Sequence, residues 1–382
     1  MNNKKETVLV GMSGGVDSTV AAYLLQKRGF HVIGITMQIW AGDPSPSRPL
    51  RSGCYGPDEV YDIHDAEQTC KKLGIPHFIV DLSSEYEKTI IRDFFTTYTH
   101  GRTPNPCVLC NPVIKFGALL ERSSSLGIQF DHFATGHYAR IIFHEASARY
   151  RLLKSMDSKK DQSYFLYRLD QNQLMNTLFP LGDYRKDQVK AIAAENGFKT
   201  IAEKPESQDF TDGGGYKSIF EKAQGKPGKI IDLQGQIVGE HPGIHHFTIG
   251  QRKGVLNGGH SQPLYILKID PLTNCITVGP KEHLAVDLLT AMHTNWIAFE
   301  KLQEPINGLA RLRSNQKESA CTITPTDEDH IEVRFEYPQS YATPGQSIVF
   351  YQDDLVLGGG IIQSTHHYVD NGKQSDEHAT GV

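Results

Sequence analysis

Gly11-Met12-Ser13-Gly14-Gly15-Val16-Asp17-Ser18 is the stretch on which the reading of this chain turns. It follows an apolar run, Thr7-Val8-Leu9-Val10, that reads as a buried strand. It precedes Val20, Ala21, Leu24 and Leu25, which share one face of a helix predicted to end at Gly29. A glycine-rich turn between strand and helix aims backbone N–H groups at one spot. The positive end of the helix dipole faces the same spot, so the turn suits a phosphate. A Walker loop would end in Gly-Lys-Ser/Thr, its lysine reaching the β- and γ-phosphates. Val16-Asp17-Ser18 stand there instead, with no lysine beside them, which argues against a kinase or GTPase working on the γ-phosphate. The plainer alternative is an ordinary strand–helix turn in which Asp17 and Ser18 cap the helix.

The chain has 382 residues, enough for two or three domains, and 38% hydrophobic content supports real cores. No apolar run approaches the ~18 residues of a membrane span, and the start, Met-Asn-Asn-Lys-Lys-Glu, lacks a secretory h-region. Six cysteines in a chain of this size do not read as a disulfide framework, so a cytosolic, reducing setting is expected. Net charge is −5, which weighs mildly against nucleic acid, although only the field at the groove matters. Basic groups do gather in short loops, among them Arg252 with Lys253, and Arg311, Arg313 and Lys317. Charge alone leaves RNA binding undecided.

Up to about residue 204 strands and helices alternate. Strands are predicted over 7–12, 31–37, 77–81 and 132–135. Helices are predicted over 18–28, 59–73, 85–100, 113–126, 172–178 and 185–196. That alternation implies an α/β fold with a parallel sheet covered on both faces. Beyond Pro205 glycine-rich turns break up short β runs at 229–232, 246–249, 263–269 and 275–278, a small β-rich domain. A third segment, with strands at 310–313, 320–323, 332–335 and 347–351, has the length of a small β-barrel. The expected boundaries are 1–208, 209–285 and 286–366, with 367–382 a polar tail. Trp40 and Trp296 read as packing anchors.

Ser13-Gly14-Gly15-Val16-Asp17-Ser18 resembles the PP-loop of the N-type ATP pyrophosphatases, which adenylate a carbonyl oxygen and release pyrophosphate. The resemblance implies ATP bound along Gly11, Met12, Ser13, Gly14, Gly15, Val16, Asp17 and Ser18, with Asp17 beside Mg²⁺. Eight further segments widen it. They are Arg102–Pro106, Cys110-Asn111, Ile114-Lys115-Phe116, Thr135-Gly136-His137-Tyr138-Ala139, Lys160–Phe165, Pro205–Asp209 with Thr248–Gly254, and Thr343-Pro344-Gly345-Gln346. Together they are similar to the bacterial tRNA-specific 2-thiouridylases along nearly the whole ordered length.

That likeness implies a PP-loop domain, a small β domain and a C-terminal β-barrel. It implies adenylation of the C2 oxygen of the wobble uridine in tRNA, then attack by a cysteine persulfide. By position Cys110 is the active-site cysteine, and Met37 and Gly136 meet the nucleoside of ATP. Asn105, Pro106 and Cys107 meet the target base, and His137, Lys160, Asp161, Gln162, Arg252, Arg313 and Gln346 face tRNA. The implied partners are tRNA and a persulfide donor, a cysteine desulfurase or relay protein, with neither membrane nor DNA. Pro104 and Pro106 are expected to stiffen a loop that presents a thiol and an amide to a flipped-out base.

Two positions depart from the family pattern. Many members carry an acidic residue where Cys107 stands, and a second catalytic cysteine where this chain has Thr211. Threonine cannot bear a persulfide. Cys107-Val108-Leu109-Cys110 offers a substitute: one cysteine carries the sulfur, and the other resolves it to a disulfide. The rival reading is an iron–sulfur or zinc site with Cys54 as third ligand. Cys70, Cys275 and Cys321 read as core. The alternatives to a tRNA sulfurtransferase are a small-molecule PP-loop ligase, or a relative that binds tRNA without thiolating it.

Overall fold

Val8, Leu9 and Val10 are wholly buried in β1 (Thr7–Gly11), as an unbroken apolar run between two covered faces must be. The computed structural model describes residues 5–43, 53–204, 210, 220, 225–256 and 262–367. With β2 (His31–Gln38), β3 (His77–Asp81), β4 (His132–Ala134) and β7 (Thr177–Leu178), β1 forms a parallel sheet of order β3-β2-β1-β4-β7. The chain runs outward from β1 to β2 and β3, then returns to its other side as β4. The order therefore reverses at β1, and the carboxyl end of β1 opens into the crevice where such sheets bind ligands. α1 (Val16–Lys27) and α2 (Glu59–Leu73) pack on this sheet. α2 ends on Gly74 at φ 68°, a left-handed cap that glycine adopts at little cost.

Several expectations change. The helix expected from 113 begins at Pro106, because proline suits the first helical position and the Asn105 side chain accepts from Val108 N. It runs to Ser125 through a widened π stretch, Asn111–Ala118, where Pro112 has no N–H to donate. The helix expected over 85–100 starts at Ser83 and holds a similar stretch at Glu87–Ile91. The helix expected over 172–178 stops at Met175, since Thr177 and Leu178 pair with β4 instead.

β5 (Ala139–His144) and β6 (Arg149–Lys154) form a hairpin absent from the sequence reading. It joins the C-terminal sheet rather than the parallel one, through Leu355↔Leu153. A four-stranded sheet holds β8 (Gly228–Ile231), β9 (Ile237–His241), β10 (Tyr265–Asp270) and β11 (Cys275–Gly279). The strand expected over 246–249 is missing: Ile244–His246 is a single 3₁₀ turn, and Gly250 and Gln251 do the pairing with Ile266. Last come β12 (Val286–Trp296), β13 (Ile306–Arg311), β14 (Ser319–Pro325), β15 (Ile331–Gln339), β16 (Ser347–Gln352) and β17 (Leu355–His367). Pairing of β12 with β17 closes these six into a barrel. Trp296 stacks on Phe299 and Phe350 inside it, as an anchor should. The segments Pro205–Asp209, Gly213–Gly215 and Gly258-Gly259, Thr211, and the tail from 368 lie outside the described residues.

Candidate active site

α1 starts directly at the glycine turn, with Gly15 as its N-cap. Neither Asp17 nor Ser18 caps the helix. Ser18 Oγ instead accepts from Ser13 N at 3.2 Å, donates to Gly15 O at 3.2 Å and lies 3.3 Å from Ser13 Oγ, so it ties the loop to itself. Gly14 holds φ +69°, and a Cβ there would meet Asp62 O at 2.6 Å. Gly136, just past β4, is flush with the start of α1: a Cβ would fall 2.8 Å from Asp17 C and Ser18 N. Gly11 is under no such constraint, its nearest atom being Phe133 Cζ at 3.5 Å. Met12 is anchored by Thr36, whose Oγ1 donates to its carbonyl at 2.8 Å.

The loop that lacks a lysine in sequence receives one in space. Lys186, at the start of the helix Lys186–Glu195, puts Nζ 2.8 Å from both Asp17 oxygens, and Tyr138 OH donates to Oδ1 at 2.8 Å. This lysine holds the Asp17 carboxylate, and 169 residues of separation hide the pairing from the sequence. A second lysine, Lys204, bonds Asp62 at 2.7 Å and Asp65 at 3.0 Å under the loop.

A cavity of about 690 Å³ opens from this cradle. Of the residues singled out from sequence, Met12, Ser13, Gly15, Val16, Asp17, Met37, Pro106, Cys107, Cys110, Lys160, Asp161 and Gln162 line it. Gly11, Gly14, Ser18, Gly136, Asn105, His137, Arg252, Arg313 and Gln346 are not among the residues that line it. Ser314 and Asn315 of the barrel close one side.

Several of these side chains face inward. Asp161 accepts from Ser163 Oγ at 2.9 Å and pairs with Arg311 at 2.7 Å, its side chain 1% exposed. The carboxylate thus clamps its loop to the barrel. Gln346 Nε2 donates to Pro104 O at 2.7 Å and Thr103 O at 3.3 Å, holding the segment ahead of Asn105. His137 Nδ1 lies 2.7 Å from Thr135 Oγ1, and burial, with Lys115 nearby, pushes the imidazole down to about 3. It is neutral at physiological pH. Arg313 lies over the Tyr341 ring at 5.4 Å and is exposed, as is Arg252.

Cys107 sits in the first turn of the helix from Pro106 and Cys110 at the start of the next, not on the expected stiff loop. Burial pushes Cys110 up to about 11 and raises Cys107; Lys115 opposes both. The sequence reading passed over Lys115 as a working residue. Its signal was spacing, since 107, 111 and 115 recur at helical intervals. Glu59 was missed outright. It holds Ile39 N at 2.7 Å and Trp40 N at 2.9 Å on the cavity wall, and burial pushes it up to about 7.

Residues 6–211 match the family described as the tRNA methyl transferase HUP domain, 217–280 its PRC-barrel domain, and 286–362 the aminomethyltransferase beta-barrel domain. The tRNA-specific 2-thiouridylase MnmA of Endomicrobium trichonymphae is 45% identical over 93% of this chain and 98% of its own. MnmA 1 of Caldanaerobacter subterraneus subsp. tengcongensis is 46% identical over 95% and 98%. The chain belongs to the tRNA-specific 2-thiouridylase family. The NMN synthetase of Francisella tularensis aligns at 17% identity over 55% of this chain and 70% of that one, with a TM-score of 0.35. In this family member all six cysteines are free thiols. Among the described residues no helix is long and apolar enough to cross a membrane.

Proposed function

We propose that this chain is an ATP-dependent tRNA-uridine 2-sulfurtransferase acting at C2 of the wobble uridine. The observation that carries the reading is that a glycine-rich phosphate turn and two thiols of one helix, Cys107 and Cys110, line one cavity. A methyl transfer, which the family descriptions name, needs neither a phosphate cradle nor a nucleophilic thiol. Ser13, Gly14, Gly15 and the first-turn amides of α1 hold the phosphates, and Met37 and Gly136 flank the nucleoside. Asn105 and Pro106 border the base. Lys160, Gln162, Arg252 and Arg313 meet the RNA, while Asp161 and Gln346 hold the loops that do so.

Uracil O2 is a poor leaving group. Attack of O2 on the α-phosphorus expels pyrophosphate and makes it part of AMP. The outer sulfur of a Cys110 persulfide then bonds C2, and AMP departs with the oxygen. Cys107 thiolate attacks Cys110 Sγ, the sulfur–sulfur bond to the base breaks, and 2-thiouridine leaves with the electron pair. The resulting Cys107–Cys110 disulfide is reset by a dithiol reductant. The sulfur comes from a persulfide donor, and a reducing, cytosolic setting suits the thiols.

Magnesium enters this reading with the triphosphate. Both Asp17 oxygens are already held by Lys186, which does not fit a metal site built on Asp17 alone. Nor does an iron–sulfur cluster fit: among the described residues no three ligating side chains converge on a point. The test supplies the full chain with ATP, magnesium, a persulfide donor and unmodified tRNA transcript. Thiolated nucleoside and AMP in equal amounts are expected by mass spectrometry, and AMP without thiolation would sink the proposal.

A further inference from the structure

Cys54 lies on the loop before α2, and its thiol donates to the carbonyl of Phe210 at 3.5 Å. Tyr55 N donates to the same carbonyl at 3.1 Å, and the Tyr55 ring stacks on Phe210 with centroids 6.0 Å apart. The Cys54 loop is thus strapped to the residue immediately before Thr211, the position whose side chain cannot carry sulfur. Cys54 also lines the cavity that Cys107 and Cys110 line. The three residues differ in exposure, Cys54 being exposed, Cys107 half-buried and Cys110 buried, although the Cys54 sulfur itself is closely surrounded by protein.

From this graded arrangement we infer that Cys54 is the receiving thiol, which takes sulfur from the donor at the cavity mouth and passes it inward to Cys110. The inference rests on the sulfurtransferase reading above and adds a third working thiol to it. Cys54 thiolate attacks the outer sulfur of the donor persulfide. One sulfur–sulfur bond forms, one breaks, and the donor leaves as its thiolate. Cys110 thiolate then attacks the outer sulfur now on Cys54 in the same way, and Cys54 is released as a thiolate. Neither exchange changes the oxidation level, so Cys54 needs no reductant to turn over. Surrounding protein and any negative charge on Cys107 or Cys110 hold the Cys54 thiol above its ordinary range, and Lys115 opposes them.

The test loads the full chain with glutathione persulfide, without ATP or tRNA, then alkylates, digests and maps the added sulfur by mass spectrometry. In wild type the sulfur is expected on Cys54 first and on Cys110 later. In Cys110→Ser it should accumulate on Cys54. In Cys54→Ser, whose hydroxyl can still donate to Phe210 O, loading of Cys110 should be lost. Loading of Cys110 in Cys54→Ser at the wild-type rate would overturn the inference, and so would sulfur never appearing on Cys54. A failed sulfurtransferase reading looks different: wild type would carry sulfur and still yield no thiolated tRNA.

Discussion

The phosphate cradle and the thiol wall face each other across one cavity, yet they are built in opposite ways. The cradle is nearly all local. Gly11 to Ser18 are contiguous, Ser13 and Ser18 bond each other, and a strand and helix fix the rest. The thiol wall is composite. Cys54 comes from the loop before α2, Cys107 and Cys110 from the helix that starts at Pro106, and the bracing carbonyl from Phe210. A local site is set once its supersecondary unit forms, whereas a composite one tolerates moving a functional group from one segment to another.

The sharpest way to separate the two walls is Cys110→Ser. Thiolation should be abolished while ATP–pyrophosphate exchange in the presence of tRNA continues at the wild-type rate. Loss of exchange in a folded, tRNA-binding variant would mean that the walls do not divide the chemistry. Lys186→Met attacks the cradle at a long-range tie. Asp17 and Lys186 side chains are 32% and 10% exposed, so the pair is less sheltered than the fully buried pairs whose disruption costs ~3–5 kcal/mol. A loss of about 2 kcal/mol in thermal or urea denaturation is expected. Adding Asp17→Asn should return much of that stability without returning ATP use. If Lys186→Met is as stable as wild type, the ion pair is not structural.

A smaller effect tests how tightly the cradle is made. Gly136→Ala puts a methyl 2.8 Å from the backbone of Asp17 and Ser18, where neither neighbour is a flexible side-chain end. Overpacking of this kind costs about 1–3 kcal/mol, and ATP affinity should fall while tRNA affinity holds. Gly11→Ala meets only ordinary contact at 3.5 Å and should bind ATP as wild type does. Equal titration curves for the two variants would mean that Gly136 does not set the cradle.

The same contrast explains what could be read in the sequence. β1, β3 and α2 were legible almost to the residue, because an apolar run, a helical period and a glycine stop are all local signals. The octapeptide gave the cradle for the same reason. The β5–β6 hairpin was not legible, since its partner strand β17 lies some 200 residues on and its own pattern alternates only weakly. Pro104 and Pro106 read as stiffeners, but Pro106 with an Asn105 cap is equally a helix start, and only packing decides. Lys186 beside Asp17 and Cys54 beside Phe210 are contacts across 169 and 156 residues that no spacing rule encodes.

The mildest perturbation acts on the thiol wall through charge alone. Burial raises Cys110 from 9.0 to about 11, Lys115 pulls it down and Cys107 pushes it up. Lys115→Gln removes the downward pull, so the thiol should ionise at still higher pH. Alkylation of Cys110 by iodoacetamide should slow below that pH, by up to about tenfold for each unit moved. The pH profile of thiolation should shift to the alkaline side, while that of pyrophosphate release stays put. Cys70 and Cys321, raised to about 12 by burial alone, are built-in controls that should not respond. Stability carries the matching sign. A thiol whose folded pKa lies above its unfolded value contributes fully below pH 9 and loses that contribution as pH climbs toward 11. Lys115→Gln should extend the loss to higher pH. An unchanged alkylation rate at Cys110 would mean that Lys115, for all its nearness, does not tune the sulfur that reaches the base.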